Sequence, residues 1–189
     1  MQINILLMRK LTMEELNRKS VDEFKGSEKN SVIAVLENIR SAYNVGSVFR
    51  TADAFLIESI FITGYTAKPP HKEISKTALG AQDSVDWKYF GTTRAAIEHL
   101  KKDHYKVYVV EQVTESISLE NISDLGADKI AFIFGNEVTG VDEEIVSLCD
   151  GCIEIPQFGM KHSLNISVAA GIVLWEAVKN QIAIKDKLI

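Results

Sequence analysis

Two periodicities alternate along this chain. Short runs of β-branched and aromatic residues at 32–36, 59–63, 106–110, 130–134 and 152–155 have the length and apolar continuity of buried strands. Between and after them, apolar positions recur at helical spacing over 46–55, 72–79, 93–102, 142–148 and 164–182. Near the start, Thr12 with Glu15 and Ser20 with Glu23 match the reciprocal capping pattern, which predicts one helix or two short ones over 12–25. Residues 26–30 read as a polar linker, and Gly80 as the C-terminal cap of the helix before it. Strands alternating with helices predict an α/β fold: a parallel sheet with helices on both faces. The last helix departs from amphipathic patterning. From Ile166 to Val178 it has almost no polar face, so burial on all sides is expected, by a subunit interface or by a knot in the chain.

Three segments combine a strand end with polar residues, the edge where α/β sheets bind ligands. Asn44-Val45-Gly46-Ser47-Val48-Phe49-Arg50-Thr51 follows the first strand. Gly135-Asn136-Glu137-Val138-Thr139-Gly140 follows the fourth. Ile155-Pro156-Gln157-Phe158-Gly159-Met160-Lys161-His162-Ser163-Leu164-Asn165 leads from the fifth into the last helix, with Ser163 and Asn165 where a helix should begin. Side-chain oxygens there cap free N–H groups, and the helix dipole favours an anion.

Composition narrows the classes. With 189 residues, 46% hydrophobic and 25% charged, the chain suits one domain with a substantial core. No apolar run is long enough for a membrane helix, and the apolar first eight residues lack the charge pattern and cleavage site of a signal peptide. No G-x-G-x-x-G follows the first strand, so a Rossmann dinucleotide site is not expected. Gly135 and Gly140 have phosphate-loop spacing, but Val141-Asp142 stand where that loop needs Lys and Ser or Thr. Cys149 and Cys152 form a C-x-x-C after an acidic, helical stretch, the wrong helix end for a reactive thiolate, and no second pair completes a zinc site. Free, at least partly buried thiols are expected, and no metal.

The net charge of −5 argues against a nucleic-acid partner until its distribution is examined. Residues 110–155 carry 11 acids and 1 base, a net −10, which leaves +5 on the remainder. Basic residues gather at Arg9, Lys10, Arg18, Lys19 and Lys25, and again at Lys68, His71, Lys72 and Lys76. Such a chain can present a positive face to phosphates while staying acidic overall. Lys68, His71 and Lys72, in a proline-stiffened loop beside a strand end, are the candidate substrate contacts.

In this order and spacing, the three segments resemble the three motifs of the SpoU-type RNA 2′-O-ribose methyltransferases of the SPOUT superfamily. The resemblance runs from Val32 to about Lys179. It implies a C-terminal deep trefoil knot, a homodimer packed around it, and S-adenosyl-L-methionine as cofactor. It implies that Arg50 and Asn44 match the essential residues of the first motif, Glu137 that of the second, and Ser163 and Asn165 those of the third. Val110, Gly135, Asn136, Ile155 and Leu164 fall on the family's cofactor loops, Ile155 and Leu164 sandwiching adenine. Arginine stays protonated, so Arg50 is expected to stabilise charge on the ribose oxygen rather than act as a base.

The expectation is a cytoplasmic enzyme methylating a ribose 2′-hydroxyl of RNA, with no membrane and no DNA partner. The chain resembles the compact members, so tRNA is the first reading and rRNA the alternative. Residues 1–30 form a helical extension, 31–182 the methyltransferase domain and 183–189 a tail. A non-catalytic RNA-binding homologue is the alternative from another class, and joint retention of Asn44, Arg50, Glu137, Ser163 and Asn165 argues against it.

Overall fold

The computed structural model describes residues 9–185 except Met13, Asn17 and His162, with side chains as far as Lys179. Expectations for residues 1–8 and 186–189 lie outside these. Among the described residues seven strands form one parallel sheet: β1 (Asn30–Glu37), β2 (Ile57–Thr63), β3 (Trp87–Phe90), β4 (Lys106–Val110), β5 (Ile117–Ser118), β6 (Ile130–Phe134) and β7 (Gly151–Glu154). Their order across the sheet is β3-β2-β1-β6-β4-β7-β5. The helices are α1 (Val21–Gly26), α2 (Ala42–Ala54), α3 (Lys72–Ala78), α4 (Ala81–Ser84), α5 (Thr93–Lys102), α6 (Glu143–Val146) and α7 (Ile166–Lys185), with a 3-10 helix at Leu119–Leu125.

Continuous apolar strands are what a sheet covered on both faces requires. Leu36, Ile62, Phe132 and Phe134 pack with Phe49 of α2 and Leu174 and Val178 of α7 on one face. Val35, Phe61, Val107 and Ile133 pack with Ile97 and Leu100 of α5 on the other. Each such side chain contributes about 1.5–3 kcal/mol by leaving water.

Register then sets the site. Val32 to Leu36 of β1 pair with Ile130 to Phe134 of β6, so the two strands end side by side. Val110 of β4 pairs with Ile153 of β7. The segments following β1, β6, β4 and β7 therefore emerge from adjacent strand ends.

Several elements differ from the sequence expectation. β3, at the sheet edge, has exposed Lys88 and Tyr89 between half-buried Trp87 and Phe90, and β5 has two residues, so neither carries a buried apolar run. Among the described residues of the 12–25 region there is one helix, α1, whose Ser20 and Glu23 form the expected reciprocal cap. Thr12 and Glu15 exchange the same two hydrogen bonds at 2.8 and 3.3 Å, around a turn rather than a helix. Leu79, not Gly80, takes the left-handed cap of α3 (φ 53°), and Gly80 (φ 97°) starts α4 instead. The expected 142–148 helix shrinks to the four residues of α6.

In α7, Ile166, Ala170, Val173, Leu174 and Val178 are buried, but Val168 (50%), Ile172 (39%) and Trp175 (48%) are exposed. Spaced i, i+4, i+7, they form one stripe. All-round burial is thus not achieved within one chain.

Candidate active site

The first two motifs meet through Glu137. Its Oε2 accepts from the amide N–H of Arg40 at 3.0 Å. Its Oε1 accepts from the N–H of Ser41 at 3.3 Å and from Nδ2 of Asn44 at 3.0 Å. Partial burial pushes its pKa up, but these donors outweigh that effect and hold the carboxyl below its ordinary value. Because a carboxylate only accepts, Asn44 must turn its NH2 to Glu137, which frees Oδ1 for a further donor. That donor is Nδ2 of Asn165, at 3.2 Å. Asn165 Oδ1 in turn accepts from the N–H of Ser167 at 2.9 Å, capping α7. One line of hydrogen bonds thus joins the starts of α2 and α7 to the turn after β6.

That turn is built by Asn136. Its Oδ1 accepts from the N–H groups of Val138 and Thr139, while Nδ2 donates to the Asn38 carbonyl at 2.8 Å and the Tyr65 hydroxyl at 2.6 Å. Asn136 and Gly140 also exchange backbone hydrogen bonds at 3.1 and 3.0 Å. At Gly135 a Cβ would lie 2.5 Å from the Gly140 carbonyl carbon and the Val141 nitrogen, so no side chain fits.

Beside this turn lies a cavity of about 360 Å³. Val110, Gly135, Asn136, Ile155 and Leu164 all line it, as do Glu137 and Ser163. The five positions expected for the cofactor are therefore brought together from three strand ends, those of β4, β6 and β7. Glu111 and Glu154 also line it and were missed by sequence reasoning. Each stands at the carboxyl end of a strand, β4 and β7, and that position was the available signal. Ser163 precedes α7 by three residues and does not cap it; Asn165 does.

Arg50 is not in this cavity. It lies farther along α2, in a shallow depression shared with Ser47, Thr51, Lys76 of α3 and Gly171 of α7. Among the described residues it has no hydrogen-bond or ion-pair partner. The loop before α3 also stands apart from the cavity. Lys68 places Nζ 3.7 Å from the Tyr89 ring centroid, His71 caps α3 by accepting from the Glu73 N–H at 3.2 Å, and Lys72 is exposed. Cys149 and Cys152 are free thiols; burial pushes Cys149 up to about 12, so it is inert at neutral pH. No group of three metal-ligating side chains occurs among the described residues.

Residues 31–175 match the family model described as the SpoU rRNA Methylase family. The chain is 29% identical to the tRNA (guanosine(18)-2′-O)-methyltransferase of Thermus thermophilus, over 89% of this chain and 84% of that protein. It is 26% identical to a 23S rRNA (guanosine-2′-O-)-methyltransferase of Vibrio vulnificus, over 90% of this chain and 68% of that protein. The crystal structure of an AdoMet-bound rRNA methyltransferase from Sinorhizobium meliloti superposes with a TM-score of 0.74 at 25% identity, covering 81% of this chain and 57% of that one. The family match and these relatives place the α/β fold among the RNA methyltransferases. The chain belongs to the SpoU methylase family.

Proposed function

We propose that the chain transfers a methyl group from S-adenosylmethionine to a ribose 2′-hydroxyl of RNA. The observation that carries this reading is the Glu137–Asn44–Asn165 line beside a cavity that all five expected cofactor residues enter. When bound, the cofactor supplies an electrophilic methyl group with its own leaving group.

The cavity fits such a molecule. The absence of a side chain at Gly135 lets Gly140 and Val141 close the turn that forms one wall, Ile155 and Leu164 offer apolar surface to a planar ring, and Glu111 and Glu154 favour a cation. Glu137 holds the Arg40 and Ser41 amides, and Asn44 relays that constraint to Asn165, so the two helix starts keep one geometry. Ser163, exposed and part of the cavity lining, adds a polar side chain there. Arg50 orients an RNA phosphate and stabilises negative charge on the ribose oxygen, and the hydroxyl proton passes to that phosphate. Lys76, in the same depression, adds a second cation.

We place a second copy of the chain on the stripe of Val168, Ile172 and Trp175, as a homodimer. Arg50 shares its depression with Gly171 of that helix and would border the interface. The last helix packs over α2 and β1, and in this reading the C-terminal segment is knotted there. Lys68, His71 and Lys72 are RNA contacts in this reading, residues 31–182 the methyltransferase domain and 1–30 its extension. tRNA is the favoured substrate, on the slightly higher identity to the Thermus thermophilus tRNA methyltransferase (29%) than to the Vibrio vulnificus rRNA one (26%). No helix among the described residues is long and apolar enough to cross a membrane, which fits work in the cytoplasm on either RNA.

The test is incubation with methyl-labelled S-adenosylmethionine and RNA from cells lacking the gene, followed by mapping of 2′-O-methyl positions. Label in a tRNA nucleotide is expected. Cofactor binding without transfer to any RNA would leave the non-catalytic reading standing.

A further inference from the structure

We propose that Tyr65 is a stacking platform for an unpaired base of the bound RNA; this rests on the reading above. Tyr65 follows β2 at the sheet edge that carries the active site, and 64% of it is exposed. An exposed tyrosine is ordinary when its ring is loose, but this one is held at both ends. Its hydroxyl accepts from Nδ2 of Asn136 at 2.6 Å, next to Glu137. Its N–H donates to Oδ1 of Asn38 at 3.3 Å. The preceding Gly64 has φ +61°, and a Cβ there would lie 2.0 Å from the same Asn38 oxygen, so the backbone is fixed close to the end of β1.

The neighbourhood distinguishes Tyr65 from the other exposed tyrosine nearby. Tyr89 donates its hydroxyl to the Gly64 carbonyl at 3.0 Å, and Lys68 already covers one face of its ring. Among the described residues the Tyr65 ring has no aromatic or cationic partner. An uncovered aromatic face offers the flat surface that a base of single-stranded nucleic acid requires, and Lys68, three residues further along the chain, supplies a cation for the adjoining phosphate. Fixing the ring beforehand lowers the entropy lost on binding. A base held on Tyr65 would set the position of its strand relative to Glu137 and Asn44, because Asn136 ties the ring to their turn. Tyr65 would thus be a positioning residue.

Stacking and phosphate contacts separate in their salt dependence. The probe is a fluorescein-labelled, mixed-sequence single-stranded RNA 12-mer, titrated at several salt concentrations. Tyr65→Leu is expected to weaken binding about tenfold with the slope of log Kd against log salt unchanged. Tyr65→Phe, which keeps the ring, should stay within about threefold of wild type. Lys68→Ala should lower the slope by about one. Cofactor binding by calorimetry should match wild type in both tyrosine variants. Wild-type affinity in Tyr65→Leu would overturn the stacking role, as would equal losses in the two tyrosine variants, because the Asn136 bond would then be what matters. A loss of cofactor affinity in Tyr65→Leu would reduce Tyr65 to a structural support. A wild-type protein that binds cofactor but no RNA would overturn the functional reading itself.

Discussion

Glu137 and Asn44 are 93 positions apart in the chain and meet at 3.0 Å, because β1 and β6 are neighbours in register. The carboxylate also holds the two amides that precede α2, so one side chain fixes how that helix begins. Removing it should affect chemistry more than folding. Glu137→Ala is expected to cost about 1 kcal/mol of stability, since water can reach the freed donors. It should lower kcat about 100-fold through displacement of Asn44 and Asn165. Chemical denaturation and single-turnover methyl transfer would measure the two losses. A stability loss with unchanged turnover would contradict the assigned role.

The same carboxylate gives a pH dependence with a definite sign. Its folded-state pKa lies below the ordinary 4.5, so its contribution to stability is complete above about pH 4.5 and is lost as pH falls through the lower, folded value. Glu137→Gln keeps the shape and removes the titration. Compared with wild type, this variant should lose less stability between pH 5 and the acid transition, measured by thermal melts in steps of pH.

Arg50→Ala should abolish methyl transfer while changing stability by less than about 0.5 kcal/mol, because the side chain has no partner among the described residues. Cofactor affinity should be unchanged, as Arg50 lies outside the cavity. Arg50→Lys should also fail, since an ammonium lacks the fork of donors. Near-normal turnover at saturating RNA in either variant would remove Arg50 from the chemistry.

Gly135→Ala places a methyl group 2.5 Å from the backbone of Gly140 and Val141. The turn must move, and the cavity wall moves with it. Cofactor affinity is expected to fall at least about tenfold, with secondary structure retained. Calorimetry beside circular dichroism would check this, and intact affinity would place the cofactor elsewhere.

Charged substitutions on α7 should have different outcomes according to which face they occupy. Trp175 is 48% exposed and touches Phe55, whereas Val178 is fully buried. Trp175→Glu should give a folded monomer by light scattering. Val178→Asp should prevent folding, because an unpaired buried charge costs several kcal/mol. A wild-type protein that is already monomeric and active would reject the dimer.

Local pattern was enough to locate β4 and β6, with bounds at Lys106–Val110 and Ile130–Phe134, and α5 at Thr93–Lys102. Apolar continuity and strong caps are properties of neighbouring residues, so they can be read along the chain. The three motifs were legible only through their resemblance to a known family, which also singled out Val110, Gly135, Asn136, Ile155 and Leu164, and these line one cavity. β3 and β5 were not legible, because edge strands gain their pairing from a neighbour rather than from their own apolar run. Nor could sequence show that Asn165 rather than Ser163 caps α7, that Leu79 rather than Gly80 turns left-handed, or that Glu111 and Glu154 face the cavity. Each depends on where a second, distant segment lies. Tertiary structure alone placed Asn44 between Glu137 and Asn165, separated Arg50 from the cavity and left the stripe of Val168, Ile172 and Trp175 uncovered. Hydropathy specifies that a side chain must be buried; which partner buries it is settled by strand order and register, which no single segment encodes.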